Sequence, residues 1–343
     1  MSQQDAPQTH PYFLMTTDPV HIGVGGSRLG RVDNSIVREP GSRLPKIPGT
    51  SLHGAIRSYA AFRFGSPDCA GQTNHCGDPC CPICQTFGYA KGITEEQTRA
   101  GLVSISDARL LLFPVYSLAG PVWVTSPTAL RDAGVENVPD VADEKVLLPQ
   151  TLSRHRHLNL GWLMLPRANR GQDGFFVWPQ EMNDVPETIR QRAVLVSDAL
   201  FSIIVNSNLE VRTSVSIDPN TGAALDKALF TYEAIPRTAI LHMEVVVERH
   251  RGNFPTGDNC ATEKERREEA FLRDEPGAEE KLAIFKKWEE ASVDWQSPID
   301  VVKAGLDWMA DLGVGGMGTR GFGRVRAIAV NHPSTTRTET QED

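Results

Sequence analysis

Gly313-Val314-Gly315-Gly316-Met317-Gly318 decides the fold, because it matches the dinucleotide fingerprint G-x-G-x-x-G letter for letter. A dinucleotide site needs a strand before those glycines and a helix after them, so that the pyrophosphate rests on the helix N-terminus. Here the order is reversed. Val301 to Leu312, just before, has clean amphipathic helical spacing, and Gly323 to Val330, just after, reads as a strand. The Rossmann reading therefore falls. A helix C-terminus needing left-handed glycines explains one or two of them but not the run. Flanked by Arg320 and Arg324, such a loop can still offer amides and guanidiniums to phosphates.

Working outward, strands and helices alternate irregularly, without the repeated strand-helix-strand units of a doubly wound sheet, and this predicts an α+β fold. Tyr12 to Ile22 reads as a first strand. Ile47-Pro48-Gly49-Thr50-Ser51 reads as a turn and N-cap, followed by a helix to about Phe64. Leu102 to Ile105 and Arg109 to Val115 read as strands, Trp123 to Leu130 as a helix capped at Ser126-Pro127, and Pro186 to Phe201 as a helix. Val211 to Ile217, the turn Asp218-Pro219-Asn220-Thr221-Gly222 and Ala228 to Glu233 make a hairpin. Ile240 to Glu248 is a further strand and Glu263 to Glu290 a charged helical stretch. Asp140 to Gly174 is irregular, with the basic run Arg154, His155, Arg156, His157 and later Arg167 and Arg170.

The 343 residues carry a net charge of −8, which as a total disfavours a nucleic-acid partner. The distribution is uneven, however. Acid gathers in Asp140 to Glu144, Glu263 to Glu290 and the tail after Thr335, whereas Arg28, Arg31, Arg38, Arg43, Lys46 and Arg57 fill the stretch His21 to Arg57, opposed there only by Asp33 and Glu39. A Gly-rich turn, those bases and a helix start near Ser51 suit a phosphodiester backbone. The N-terminus lacks basic and apolar leader regions and no segment has the length of a membrane span, so the expected location is the cytoplasm, with no membrane partner.

Five of six cysteines fall between Cys69 and Cys84. In a reducing compartment such bunching points to metal more than to disulfides. Cys81-Pro82-Ile83-Cys84 with two further thiolates is a tetrahedral zinc arrangement, and Cys69, Cys76, Cys81 and Cys84 space most evenly, with Cys80 or His75 as substitutes. Four protein ligands leave no open position, so the Zn2+ is structural and a zinc hydrolase is disfavoured. A redox C-x-x-C would open a helix in a thioredoxin-like unit, which is absent, and Cys260 reads as incidental.

Taken in order, Gly30 to Arg57, Ser106-Asp107-Ala108-Arg109-Leu110-Leu111-Leu112-Phe113-Pro114-Val115, Trp123-Val124-Thr125-Ser126-Pro127, Ala228-Leu229-Phe230 to Glu233-Ala234-Ile235-Pro236, and the closing Gly-Gly-x-x-x-Arg-Gly-Phe-Gly-Arg resemble the Cas7-type RAMP proteins of type III CRISPR effectors, nearest to the type III-B backbone subunits. The resemblance implies an RRM-like (ferredoxin-like) palm, about 12–64, 101–135, 186–210 and 238–330. It also implies a thumb hairpin, at about 207–238, and insertions in the palm, assigned to the cysteine-bearing stretch at about 66–92 and to about 140–180; the polar tail at 331–343 reads as disordered from its composition. It implies copies stacked along a guide crRNA and metal-assisted endoribonuclease cleavage of bound target RNA at regular intervals. Cas10, a Cas5-like subunit, a small subunit and other RAMP proteins are the implied partners.

The family's catalytic Asp falls in the loop Leu29 to Ile36, which makes Asp33 the catalytic choice. On the residues alone, Asp33-Asn34 is an ordinary turn pair. RNA carries its own 2′-OH nucleophile, so a single carboxylate suffices to hold a divalent cation, Mg2+ or Mn2+, or to act as base. An unperturbed Asp is a poor base near neutrality, which favours the metal. His21 is a further acid–base candidate, though a His at a strand end is ordinarily a structural hydrogen-bonder. Tyr232 and Glu233 are placed nearby only by the family's thumb. Guide contacts are expected from Arg38, Lys46, Ser51, Arg57, Gly315, Gly316 and Arg320. His53 stands where the family carries Lys, which weakens one phosphate contact. The competing expectation is a guide-binding structural subunit without cleavage.

Overall fold

The computed structural model describes residues 6–25, 32–71, 75–90, 98–168, 178, 180–248, 254–275, 278–290 and 295–330. Arg28, Arg31, Arg170, residues 29–31 of the Asp33 loop and the tail 331–343 lie outside the described residues. The chain enters through β1 (Gln8–Thr16), passes β2 (Lys46–Ile47) and reaches α1 (Gly49–Arg63). The cysteine loop carries α2 (Pro82–Phe87) and closes on the small pair β3 (Gly88–Tyr89) and β4 (Arg99–Ala100). Then follow β5 (Val103–Ile105), β6 (Ala108–Val115), β7 (Val122–Thr125) and α3 (Pro127–Asp132). A separate hairpin of β8 (His157–Leu160) and β9 (Leu163–Pro166) precedes α4 (Glu187–Arg190), β10 (Ala193–Leu195) and α5 (Asp198–Ser207). A second hairpin, β11 (Glu210–Ile217) and β12 (Ala224–Ala234), leads to β13 (Ile240–Val247). Last come α6 (Gly257–Leu272), α7 (Ala278–Glu290), α8 (Pro298–Leu312) and β14 (Val325–Val330).

The main sheet runs β10-β7-β6-β13-β1-β14, with β2 on β6 and β5 on β13. Every pairing in it is antiparallel except β7 with β10. Successive side chains of a strand point to opposite faces, and β1 is apolar on both. Tyr12 and Leu14 join Leu52 and Ile56 of α1 and Val302 and Leu306 of α8. Phe13 and Met15 join Leu130 of α3 and Ile189 of α4 on the other side. The sheet is thus covered twice, and each fully buried Leu or Ile contributes roughly 1.5–3 kcal/mol.

α8 starts on a capping box of Ser297 and Asp300 with Pro298 behind it, so its first amides are satisfied locally. It crosses α1 so closely that a Cβ on Gly305 would lie 2.2 Å from the Ile56 carbonyl oxygen. That approach explains a glycine inside an amphipathic helix.

Several sequence expectations shift. Trp123 to Thr125 is strand, not helix; three β-formers pair with β6 and β10, and only then does the Ser126 side chain, accepting from Ala129 N, start α3. Pro186 to Phe201 is cut by β10, because Ala193–Leu195 is buried on both faces, and such a strand reads as apolar as a helix. β1 ends at Thr16; beyond it only isolated bridges hold Val20 to Ile235 and Gly23 to Ile36. α1 begins at Gly49 behind Pro48, without a side-chain cap of its own. Gly49 N donates instead to Asp107 Oδ1 at 2.7 Å. The irregular insertion holds β8 and β9, and the charged stretch resolves into α6 and α7.

Candidate active site and metal centre

Asp33 sits at the point where the Asp33 loop meets the β11–β12 hairpin. Its Oδ2 accepts from Thr231 N and from Thr231 Oγ1, both at 2.8 Å, and its own amide donates to Thr231 Oγ1 at 2.9 Å. Asn34 N donates to Thr231 O, and Glu233 N returns a bond to Asn34 O. The loop is therefore laced to β12 as a short extra strand, bridged at Asn34 and Tyr232. The Thr231 backbone and hydroxyl donors hold the Asp33 carboxyl below its ordinary value, so the exposed group is ionised at neutral pH. No group among the described residues bonds its Oδ1.

The three weaker candidates gather at the same place. His21 Nδ1 lies 2.7 Å from Glu233 O, and since a carbonyl only accepts, Nδ1 is the donor. The His21 ring meets the Tyr232 ring edge-on at 5.7 Å. His21 is buried, however, and a Cβ on Gly23 would lie 3.1 Å from Nε2, so the ring is a packed piece beneath the surface. Glu233 spends both oxygens: Oε1 accepts from Arg38 at 2.6 Å and Oε2 from Ile36 N at 3.2 Å.

The closing glycine loop comes to this site from the far end of the chain. Gly316 N donates to His21 O at 3.1 Å, and Gly315, at φ +89°, lies where a Cβ would be 2.5 Å from that same oxygen. Gly323 N donates to Pro19 O, Arg324 pairs with Asp18, and Arg212 of β11 lies 4.9 Å above the Phe322 ring. Gly315, Gly316 and Arg320 remain exposed. The closing loop thus packs against the Pro19 to Ile22 segment, which is itself bonded to β12 through Glu233.

The other expected RNA contacts divide. Arg38 is largely taken up, with Nε on Asn206 at 2.8 Å and a guanidinium on Glu233. Lys46 Nζ reaches Asp107 Oδ2 at 2.5 Å. Burial works to raise the Asp107 carboxyl, but Gly49 N and Lys46 outweigh it and hold it low. The anion at the start of α1 is thus the protein's own. Ser51 and His53 stand half-exposed on the first turns of α1. Burial, then the nearby Arg57 charge, pushes the His53 pKa down, so its ring is neutral and rests edge-on against Phe87. Arg57 faces inward, not toward solvent, and donates to Cys69 O, Gly88 O and, at 2.8 Å, to His75 Nδ1. It welds α1 to the cysteine loop, an assignment that corrects its expected phosphate role.

In that loop the sulfurs of Cys69, Cys76, Cys81 and Cys84 all lie within 4.8 Å of one another. The closest separations are 3.4 Å for Cys69–Cys76, 3.6 Å for Cys69–Cys84, 3.7 Å for Cys76–Cys84 and 3.9 Å for Cys69–Cys81. A tetrahedron with metal–sulfur bonds of about 2.3 Å has edges of about 3.8 Å. The four sulfurs are therefore spaced for one tetrahedral ion such as zinc. Their ordinary thiol equilibria are split: hydrogen bonds from the other three pull Cys69 down, and burial drives Cys81 up. The two substitute ligands are used elsewhere, His75 on Arg57 and Cys80 in a disulfide with Cys260. Cys260 is therefore not incidental. It ties α6 to the cysteine loop beside a buried ion pair of Arg267 with Asp78 at 2.7 Å.

The sheet, the hairpin and the paired glycine loops find their match in one family. The chain belongs to the RAMP superfamily, whose sequence pattern covers residues 13–326. It is 30% identical over 250 residues to the CRISPR system Cmr endoribonuclease Cmr4 of Pyrococcus furiosus, covering 68% of this chain and 80% of that one. Its fold is similar to oligomeric Cmr4 from Pyrococcus furiosus, with a TM-score of 0.52 and 19% identity over 95% of this chain and 99% of that one. It is likewise similar to a chain of the type III-B Cmr-beta complex bound to cognate target RNA, with a TM-score of 0.53 and 16% identity over 70% and 84% of the two chains. Among the described residues, no helix is long and apolar enough to cross a membrane.

Proposed function

We propose that this chain is a backbone subunit of a type III CRISPR effector, that copies of it stack along a guide RNA, and that it cleaves complementary target RNA at regular intervals through Asp33. The observation that carries the reading is that Asp33 stands exposed at the hairpin with no group among the described residues bonded to its Oδ1. The likeness to an endoribonuclease over most of the chain supports the activity, and the likeness to an oligomeric protein and to a target-bound complex supports the partners. The strand order β14-β1-β13-β6, with α1 after β1 and α8 after β13, fits an RRM-like palm of β-α-β-β-α-β type, and β11–β12 is then its thumb.

In this reading the thumb unstacks one target nucleotide and turns its 2′-OH in line with the scissile bond, which supplies the alignment part of the rate. Asp33, ionised and fixed through Oδ2, presents Oδ1 to that point. Glu233 and His21 hold the loop and β12 together beneath it. A lone carboxylate fits Mg2+ or Mn2+ only together with RNA phosphate oxygens, and the ion would then neutralise charge on the phosphorane. Gly315, Gly316 and Arg320, with Ser51 at the start of α1, track the guide backbone. The four cysteines hold a structural Zn2+ that fixes α2 against α1. Cas10, a Cas5-like subunit, a small subunit and other RAMP proteins complete the assembly, in the cytoplasm.

One observation favours a second reading, a guide-binding subunit that does not cut: Thr231 already gives the carboxylate of Asp33 a structural task. Asp33→Ala in assembled complexes separates the two. Target RNA should still bind and cutting should stop; unchanged cutting removes Asp33 from the mechanism, and wild-type complexes that bind without cutting select the second reading.

A further inference from the structure

The basic run in the insertion has no part in the site above, and it leads into the β8–β9 hairpin, with Arg156 bonded to Arg167 at the open end and a bare aromatic ring at the turn. From Lys145 to Gln172 there is no acidic residue, although the whole chain is acidic. Arg154 and Arg156 are exposed on the approach to β8, and Arg156 has no side-chain partner among the described residues. At the β8–β9 turn Trp162 is 71% exposed, and in the β6–β7 turn Tyr116 is 72% exposed. The two turns are held together: Gly161 N donates to Tyr116 O at 3.2 Å, and Leu118 N donates to Asn159 Oδ1 at 2.6 Å. Leaving one such ring in water is ordinary. Two on bonded neighbouring turns, with exposed arginines at the other end of the same short hairpin, no more than about 20 Å along the strand, form a track with a chemical preference.

We propose that the β8–β9 turn and the Tyr116 turn form a second binding surface for single-stranded RNA, on which bases stack against Trp162 and Tyr116 while Arg154 and Arg156 take the phosphates. Sequence-tolerant single-strand binders combine these two elements, because every base has a π-face and every linkage a charge. A protein partner is the less favoured occupant, since a segment with bases and no acid from Lys145 to Gln172 complements a polyanion. The surface adjoins the site already described. The position of a Cβ on Gly161 falls against Asn208, directly before β11, and Thr213 of β11 pairs with Thr231, the residue that holds Asp33. Thr213 lies five positions after Asn208, no more than about 17 Å away. RNA leaving the neighbourhood of Asp33 can therefore run onto the two rings. The inference rests on the proposed RNA partner but not on cleavage.

The test uses the full chain saturated with a guide-length RNA, to which a fluorescein-labelled oligouridine without complementarity is added and followed by anisotropy. Trp162→Ala should weaken the oligouridine by roughly five- to a hundredfold, the range for loss of one stacked base, and Trp162→Phe should largely restore it. Arg154→Ala with Arg156→Ala should lower the slope of log affinity against log salt by about 0.7 for each phosphate that is no longer neutralised. All these side chains are exposed, and unchanged melting temperatures check that folding is intact. Equal oligouridine affinity in Trp162→Ala, or no binding by the wild type, overturns the second surface while guide loading leaves the main reading standing. Smaller assemblies in light scattering with unaltered oligouridine binding would assign the patch to contact between copies and overturn the RNA proposal. Failure to load the guide overturns both.

Discussion

Arg38 decides whether the basic segment around Asp33 contacts RNA directly or builds the site that does. Its guanidinium and the Glu233 carboxylate are 15% and 11% exposed, and Glu233 also holds Ile36 N, so the pair joins the Asp33 loop to β12. Removing one partner of a buried pair leaves an uncompensated charge and costs about 3–5 kcal/mol; partial access to water places Arg38→Ala near about 3 kcal/mol. Spread over 343 residues with an unfolding entropy of about 2.1 cal/mol/K each, that lowers the melting temperature by roughly 4 °C. In Glu233→Gln the partner is neutral, so adding Arg38→Ala should cost less than the sum of the single changes, with a coupling of about 1–3 kcal/mol. Calorimetry of the four proteins gives the cycle, and the salt dependence of guide binding gives the control. Additive stabilities together with a shallower salt slope for Arg38→Ala would refute the clamp and make Arg38 a phosphate contact.

Other consequences are independent of that pair. Purified protein should carry one zinc per chain, and Cys81→Ser or a strong chelator should remove it and lower the melting temperature; a metal-free wild type of undiminished stability would count against the cluster. Burial, then Arg109, pushes the His242 pKa down to about 4, below its unfolded value of about 6.5. Its contribution is complete above that unfolded value and is lost as pH falls toward 4, up to about 3 kcal/mol. His242→Phe should flatten the acid limb of a stability–pH profile, and an unchanged limb would exclude it as the cause. Gly305→Ala forces a Cβ onto the Ile56 carbonyl and should destabilise by about 1–3 kcal/mol in denaturant titration, whereas a neutral result would mean that α1 and α8 can part freely.

Local signals carried most of the architecture. The Asp218 to Gly222 turn, the capped α8 and the alternating β13 are written in adjacent residues, and the order of helix, glycine loop and strand around Gly313 to Gly318 excluded a dinucleotide fold. The spacing of Cys69, Cys76, Cys81 and Cys84 named the four sulfurs that converge. What stayed hidden depends on distant partners. Asp33 is held by a threonine 198 positions away, and Arg57 is drawn inward by carbonyls of the cysteine loop. The cap of α1 is Asp107, between β5 and β6 and 58 positions later, and Cys80 finds Cys260 across 180 positions. Basic residues near a glycine turn look alike whether they face phosphate or a buried carboxylate. β10 escapes a reading by period, because a strand buried on both faces has no period of two.

In the proposed function one RNA-binding surface gathers around Asp33 from residues 21–25 and 32–38, the β11–β12 hairpin and the Gly313 to Arg324 loop. Native purification followed by nuclease digestion and sequencing of the protected RNA tests it most directly. Protected fragments should lengthen in even steps with the number of stacked copies, and retention should be lost when Arg320 and Ser51 are replaced together by Ala. A chain that purifies free of RNA and binds none when a guide-length RNA is supplied would contradict it.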